Sequence, residues 1–173
     1  VHGYLRPDGV ADTRRVNDAI AAYCDAHPDR FPAALGIVEP MYGREACASE
    51  LHRMHDELGL VGVSIHARFQ GVTTDSPLVL AFARVAAEIG LVPFVHAVDG
   101  VPDEAMWRVQ QVARAIPDTV WLAGDSRRVT FAEADALVNR YARGLVSAGV
   151  GKGDPVAMLV EPSIEALLVA IAV

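Results

Sequence analysis

Five ionisable side chains, Glu39, His66, His96, Asp99 and Asp125, stand at or just beyond the ends of four short apolar runs. Imidazole and carboxylate are the donor types of zinc, iron and manganese centres that activate a water, and the same groups serve as general acids and bases. His96 carries the strongest signal, because it is embedded in VPFVHAV, where an unpartnered polar side chain is costly. It is the candidate metal ligand. His66 and Asp99 are the candidate catalytic groups. Glu39, Asp99 and Asp125 also have a plainer use, since strand ends turn into solvent and polar residues are common there. His52 and His55 are spaced i, i+3 but sit among Arg53, Asp56 and Glu57, which reads as a solvated helix face. His27 precedes Pro28 at a helix end, where positive charge is favourable. Trp107 and Trp121 read as packing residues, and Cys24 and Cys47 as two free thiols in helices.

The elements that must bring these groups together alternate between helix and strand. Asp12 and Thr13 offer N-caps for a helix running to about His27, with Val16, Ile20, Tyr23 and Cys24 as its apolar stripe. Residues 33–38 read as a buried strand between prolines, and 43–58 as a helix stopped by Gly59. A second strand is predicted over 61–66. Ser76-Pro77 then caps a helix that ends at Gly90. A third strand covers 92–97, a helix 102–115, and a fourth strand 119–123. This is the rhythm of a parallel sheet, whose strand ends converge on one face. The pattern then resets. Thr130 and Glu133 form a capping box, and Ala134, Leu137, Val138, Tyr141, Ala142, Leu145 and Val146 make a helical stripe ended by Gly149. A turn, a buried strand over 156–160 and a last helix from Pro162-Ser163 follow. The predicted fold class is α/β: helix–strand units with parallel strands, partial-barrel-like, then an α–β–α segment, in one open sheet of five strands.

With 173 residues the chain has room for one ordinary domain or two partial ones. Its net charge of −7 argues against a nucleic-acid partner, which needs Lys and Arg against phosphate. Lys152 is the sole lysine, so a basic membrane patch is absent as well. No leader and no spanning run is evident, and the expectation is a soluble cytoplasmic protein. The chain begins with Val1 and stops at Val173 within a predicted helix, which is expected either of a piece of a longer protein or of a helix whose end frays.

Three stretches, VNDAIAAYCDAHPDRFPAALGIVEP, ELHRMHDELGLVGVSIHARFQG and DSPLVLAFARVAAEIGLVPFVHAV, resemble the amidohydrolase-related family. These are metal-dependent (β/α)8 barrels that hydrolyse or decarboxylate small carboxylated substrates. The resemblance covers about residues 1–120. It implies a divalent metal, zinc or manganese, and a small carboxylate substrate. It sets His96 at the metal-ligating histidine of the fifth barrel strand and His66 at a substrate-facing position of the fourth. The family's His-x-His pair and its later histidine and aspartate have no counterpart, so the resemblance implies an incomplete ligand set. From about residue 121 to 173, WLAGDSRRVTFAEADALVNRYARGLVSAGVGKGDPVAMLV and the apolar end resemble the N-terminal segment of AMP-forming acyl-CoA synthetases, where such residues are scaffold. ATP with magnesium, and CoA, are implied only for a complete synthetase.

Three readings follow from the sequence. The chain is a partial metal-dependent hydrolase or decarboxylase, the leading part of an ATP-dependent acyl-CoA ligase, or a non-catalytic folded remnant of a gene fusion. Strand edges left open by a partial barrel would favour self-association.

Overall fold

The computed structural model describes residues 6–98, 100–123 (without the side chains of 120–123), 127–159, 161 and 163–173. Asp99, Asp125 and the side chain of Trp121 therefore lie outside the described residues. The chain divides into two compact units, Val1–Ile116 and Pro117–Val173.

The first unit runs α1 (Val10–Ala26), β1 (Leu35–Ile37), α2 (Arg44–Asp56), β2 (Gly62–Ile65), α3 (Pro77–Ile89), β3 (Val92–Val95) and α4 (Met106–Ala115). Short 3-10 turns at Pro40–Tyr42, Ala67–Gln70 and Pro102–Glu104 follow β1, β2 and β3. The three strands form one parallel sheet in the order β1-β2-β3. Gly36, Val63 and Pro93 share one register row, and Ile37, Ser64 and Phe94 the next. One face is covered: Val63, Ile65, Leu51, Met54, Val79, Phe82, Ala83 and Ala86 are all buried. A Cβ on Gly36 would lie 2.4 Å from Met54 Cε and 2.8 Å from Leu60 Cδ1, so a larger residue there would have to displace those side-chain ends. On the other face Val92 and Phe94 stay exposed. Ser76 caps α3 by accepting from Val79 N–H, and Gly90 ends it at φ 100°, as the sequence pattern predicts.

The orientation of α1 departs from the sequence reading. The helix starts at Val10 with Gly9 at its N-cap, not with Asp12 or Thr13. Its buried residues are Thr13, Asn17 and Ala21, while Val16 and Ile20 are half-buried and Tyr23 is exposed. The cause is the outer edge of β1. Asn17 Nδ2 donates to Ile37 O at 2.9 Å, and Ile37 N donates to Asn17 Oδ1 at 2.9 Å. The side-chain amide thus satisfies two backbone groups that an edge strand leaves open. Satisfying them turns the polar face of the helix inward. The other edge, β3, carries Pro93, which has no N–H to offer a further strand.

The second unit holds β4 (Val120–Ala123), β5 (Arg128–Thr130), α5 (Phe131–Ser147) and α6 (Ile164–Ala172). The capping box at Thr130 and Glu133 is formed in both directions. Val129, Ala134 and Leu168 make a small core, with Leu137, Val138, Tyr141 and Ile164 packed against it. The expectation of one five-stranded sheet is corrected here. β4 pairs antiparallel with β5, Val120 opposite Thr130 and Ala123 opposite Arg128, and not with the parallel sheet. A partner a few residues away costs little loop entropy to reach. Of residues 156–160, expected as a buried strand, the described 156–159 form no regular structure, and Leu159 is fully exposed. Trp107, expected to pack, is also exposed, with the Arg108 guanidinium 4.2 Å above its ring.

Candidate metal centre

Parallel pairing sends His66 and His96 the same way. His66 follows β2 and His96 follows β3 one register step on, with His96 N donating to Ile65 O at 2.9 Å. The rings stack, centroids 3.9 Å apart and planes within 16°. Glu104 completes the group from the turn that precedes α4. Its Oε1 lies 2.7 Å from His66 Nδ1 and its Oε2 3.0 Å from His96 Nδ1. Glu104 also accepts from Arg68 N–H at 3.0 Å, which ties the turn after β2 to the turn after β3. A second tie runs from Thr74, whose N–H and Oγ1 both donate to Asp103 O, at 2.9 and 3.1 Å. His66 and Glu104 are buried, and His96 is about a third exposed at its side chain, 35%. The trio is thus closed on one side and open through His96.

One ligand atom from each of His66, His96 and Glu104 can be chosen within 4.8 Å of the others. Ligand atoms around a tetrahedral zinc with bonds of ~2.1 Å lie roughly 3.4 Å apart, so the three donors share one shell only after a shift of up to about 1.4 Å. Two imidazoles and a carboxylate are the donor set of an open catalytic site, which takes three protein ligands and leaves a position for water or substrate. The donors present fit a divalent metal. Where the sequence pointed to a lone imidazole, the fold supplies three donors.

The other sequence candidates fall elsewhere. Glu39, read as a solvated strand end, is fully buried. Thr13 Oγ1 donates to its Oε2 at 2.7 Å, and Arg6 Nε lies 3.7 Å from its Oε1. Burial pushes the Glu39 carboxyl above the ordinary range, with the Thr13 hydroxyl and the Arg6 charge pulling the other way. Cys47 Sγ donates to Glu39 O at 3.2 Å. Burial, assisted by the Glu39 charge, pushes its thiol up to about 11, so it is unreactive near neutral pH. His52 and His55 stand on the exposed face of α2 beside Asp56, at 3.6 and 2.8 Å. His27 packs on the Tyr23 ring at 4.7 Å.

Glu104 escaped the sequence reading. It sits in VPDEAM between a proline and a helix start, where an acidic residue reads as a helix-terminus charge. Its spacing of eight from His96 matches no local ligand motif. Only the packing of one turn on the other makes it a partner of both histidines.

Comparison with known proteins gives two partial likenesses. The chain is 42% identical over 72 residues to gamma-resorcylate decarboxylase of Rhodococcus jostii, which spans 40% of this chain and 21% of that protein. It is 30% identical over 104 residues to 2-amino-3-carboxymuconate-6-semialdehyde decarboxylase of Dictyostelium discoideum, 60% of this chain and 28% of that one. The chain therefore spans only about a quarter of the curated relatives it matches. Among solved structures, 2,6-dihydroxybenzoate decarboxylase from Rhizobium superposes with a TM-score of 0.44 at 24% identity, over 80% of this chain and 42% of that one. The same score is found for that enzyme complexed with 2,6-dihydroxybenzoate, at 25% identity. The family model for AMP-binding enzymes matches residues 109–173. The likeness to amidohydrolase-related decarboxylases and the likeness to AMP-binding enzymes thus sit side by side in one chain. No helix among the described residues is long and apolar enough to cross a membrane.

Proposed function

We propose that the first part of this chain, residues 1–120, carries the metal-binding half of an active site that decarboxylates or hydrolyses a small carboxylic acid. The single observation behind this is the buried meeting of His66, His96 and Glu104 at the ends of two parallel strands. The likeness to two decarboxylases acting on carboxylated substrates supports the choice of reaction. His66, His96 and Glu104 would hold the metal, zinc or manganese. A bound divalent ion supplies Lewis-acid polarisation of a carboxylate or hydroxyl oxygen and an acidified water.

The chain's own residues do the rest. Glu104 Oε2 is hydrogen-bonded to His96 Nδ1 at 3.0 Å and its Oε1 lies 2.7 Å from His66 Nδ1, which gathers the three groups before any ligand arrives. Its contact with the Arg68 amide fixes the carboxylate in turn. Burial of His66 excludes water from one side, and exposure of His96 leaves the approach for the substrate. Asp99, three residues beyond His96 in the sequence, is the candidate proton carrier, while His66, expected as a catalytic group, serves the metal. Imidazoles must be neutral to ligate, so metal affinity falls as pH drops.

The test is metal content of the full chain purified without chelator. The expected result is one transition metal per chain, reduced to background by His96→Ala. A metal-free protein that also fails to take up zinc or manganese on dialysis contradicts the reading.

A second reading is carried by the family match over 109–173. Residues 121–173 would be the scaffold that opens an AMP-forming ligase domain. Adenylate formation from ATP and a carboxylic acid, read as pyrophosphate exchange, tests it. Absence of exchange together with absence of metal would leave a folded remnant.

A further inference from the structure

The turn that follows His66 presents two side chains that the metal trio does not use. Arg68 and Phe69 both lie on the exposed side of the 3-10 turn Ala67–Gln70. The Phe69 ring stands 4.5 Å from the His66 ring, tilted by 47°, and is 40% exposed. The Arg68 guanidinium carbon lies 5.8 Å from the Phe69 centroid. Phe69 is therefore a partly exposed ring that neighbours both the buried imidazole and a cation.

Arg68 has no carboxylate partner among the described residues. The nearby Arg108 does: its Nη1 lies 2.5 Å from Asp75 and its Nε donates to Pro102 O. The Arg68 backbone is nonetheless fixed, because its N–H is bound to Glu104 at 3.0 Å. The side chain thus starts from an anchored point beside the trio. A guanidinium presents a planar fork that matches a carboxylate in two parallel hydrogen bonds. An aromatic ring takes a flat unsaturated body in offset or edge-on contact.

We infer that Arg68 binds the carboxylate of the substrate and that Phe69 lies against its body, which makes the ligand a small aromatic or unsaturated carboxylic acid. The inference rests on the reading of His66, His96 and Glu104 as a site for a small acid, and adds the residue that recognises the acid group. Arg68 is a specificity residue here. It fixes the acid over the ring, with the remainder of the molecule directed toward the two histidines.

The experiment measures binding to the full chain by titration calorimetry or ligand-observed NMR. The probes are 2,6-dihydroxybenzoate and resorcinol, its counterpart without the carboxylate. Both are run with zinc-loaded and with chelated protein. The wild-type chain binds the acid more tightly than resorcinol by roughly tenfold or more, the worth of a charge-assisted pair. Arg68→Met removes that preference and leaves resorcinol binding and zinc stoichiometry unchanged. Arg68→Lys keeps part of it, because the charge remains and the fork is lost. Phe69→Leu weakens both probes together. The inference is overturned if Arg68→Met binds the acid as tightly as wild type, or if the wild type does not prefer the acid. Failure of the metal reading shows separately, as absence of zinc uptake. The acid preference of the chelated chain then still decides the role of Arg68.

Discussion

Two glutamates of the first unit, Glu50 and Glu104, are equally buried, at 0% and 1% exposure, yet they are partnered in opposite ways. Glu50 on α2 accepts from Arg14 Nε at 3.0 Å, from Arg53 Nε and Nη2 at 2.9 and 2.8 Å, and from Asn17 Nδ2 at 2.9 Å. Two of those partners carry permanent charge. Glu104 is met by one backbone amide and two imidazoles, whose charge depends on pH and on ligation. A buried carboxylate neutralised by arginines on its own helix and on the neighbouring one is a fastening. One neutralised only by titratable, metal-competent rings at strand ends is the mark of a site.

That contrast can be broken by substitution. The largest effect is expected at the fastening. Glu50→Leu strips both arginines and Asn17 of their shared acceptor and should cost about 3 to 5 kcal/mol, read as a fall in the denaturant midpoint at unchanged slope. A loss below about 1 kcal/mol would mean the arginines are satisfied by water instead. Asn17→Ala comes next. It leaves Ile37 N–H and C=O without their amide partner and takes one bond from Glu50, at an expected cost of about 2 to 3 kcal/mol. Faster amide exchange at Ile37 would mark the opened edge.

The smallest effect concerns a third buried carboxylate, Glu39. Burial raises its folded-state pKa, so the native chain holds that proton to higher pH than the unfolded chain does. Its contribution to stability is therefore greatest below the ordinary glutamate range and falls as pH rises through the raised value. Glu39→Gln removes the titration. The variant should show a flatter stability profile above about pH 4.3 and equal or slightly higher stability at pH 7. A steeper loss of the variant toward neutral pH would reverse the sign argued here.

How much of this was readable in the chain depends on the range of the interaction. Elements whose ends are set locally were legible: Ser76-Pro77 and Gly90 bound α3, and Thr130 with Glu133 caps α5, as their spacing predicts. The helix–strand rhythm gave the three parallel strands. His66 and His96 were legible as candidates because strand ends converge. The orientation of α1 was not, because the apolar stripe Val16, Ile20 and Tyr23 competes with the demand of the β1 edge for Asn17, and nothing local shows that the edge wins. Glu104 was missed for the same reason, since it is joined to His66 across 38 positions by packing of two turns and by no motif. β5 went unread because RRVT looked like the approach to a helix, whereas it is also a ready partner for β4.

Cobalt(II) titration of the full chain tests the central claim most directly, since a four-coordinate cobalt centre is visible in absorption and counts its own stoichiometry. One ion per chain is predicted, with a visible band abolished by His66→Ala or His96→Ala and affinity lowered by Glu104→Gln, which removes a ligand carboxylate. Weak uptake, or uptake that these three substitutions leave untouched, would contradict a metal centre at His66, His96 and Glu104.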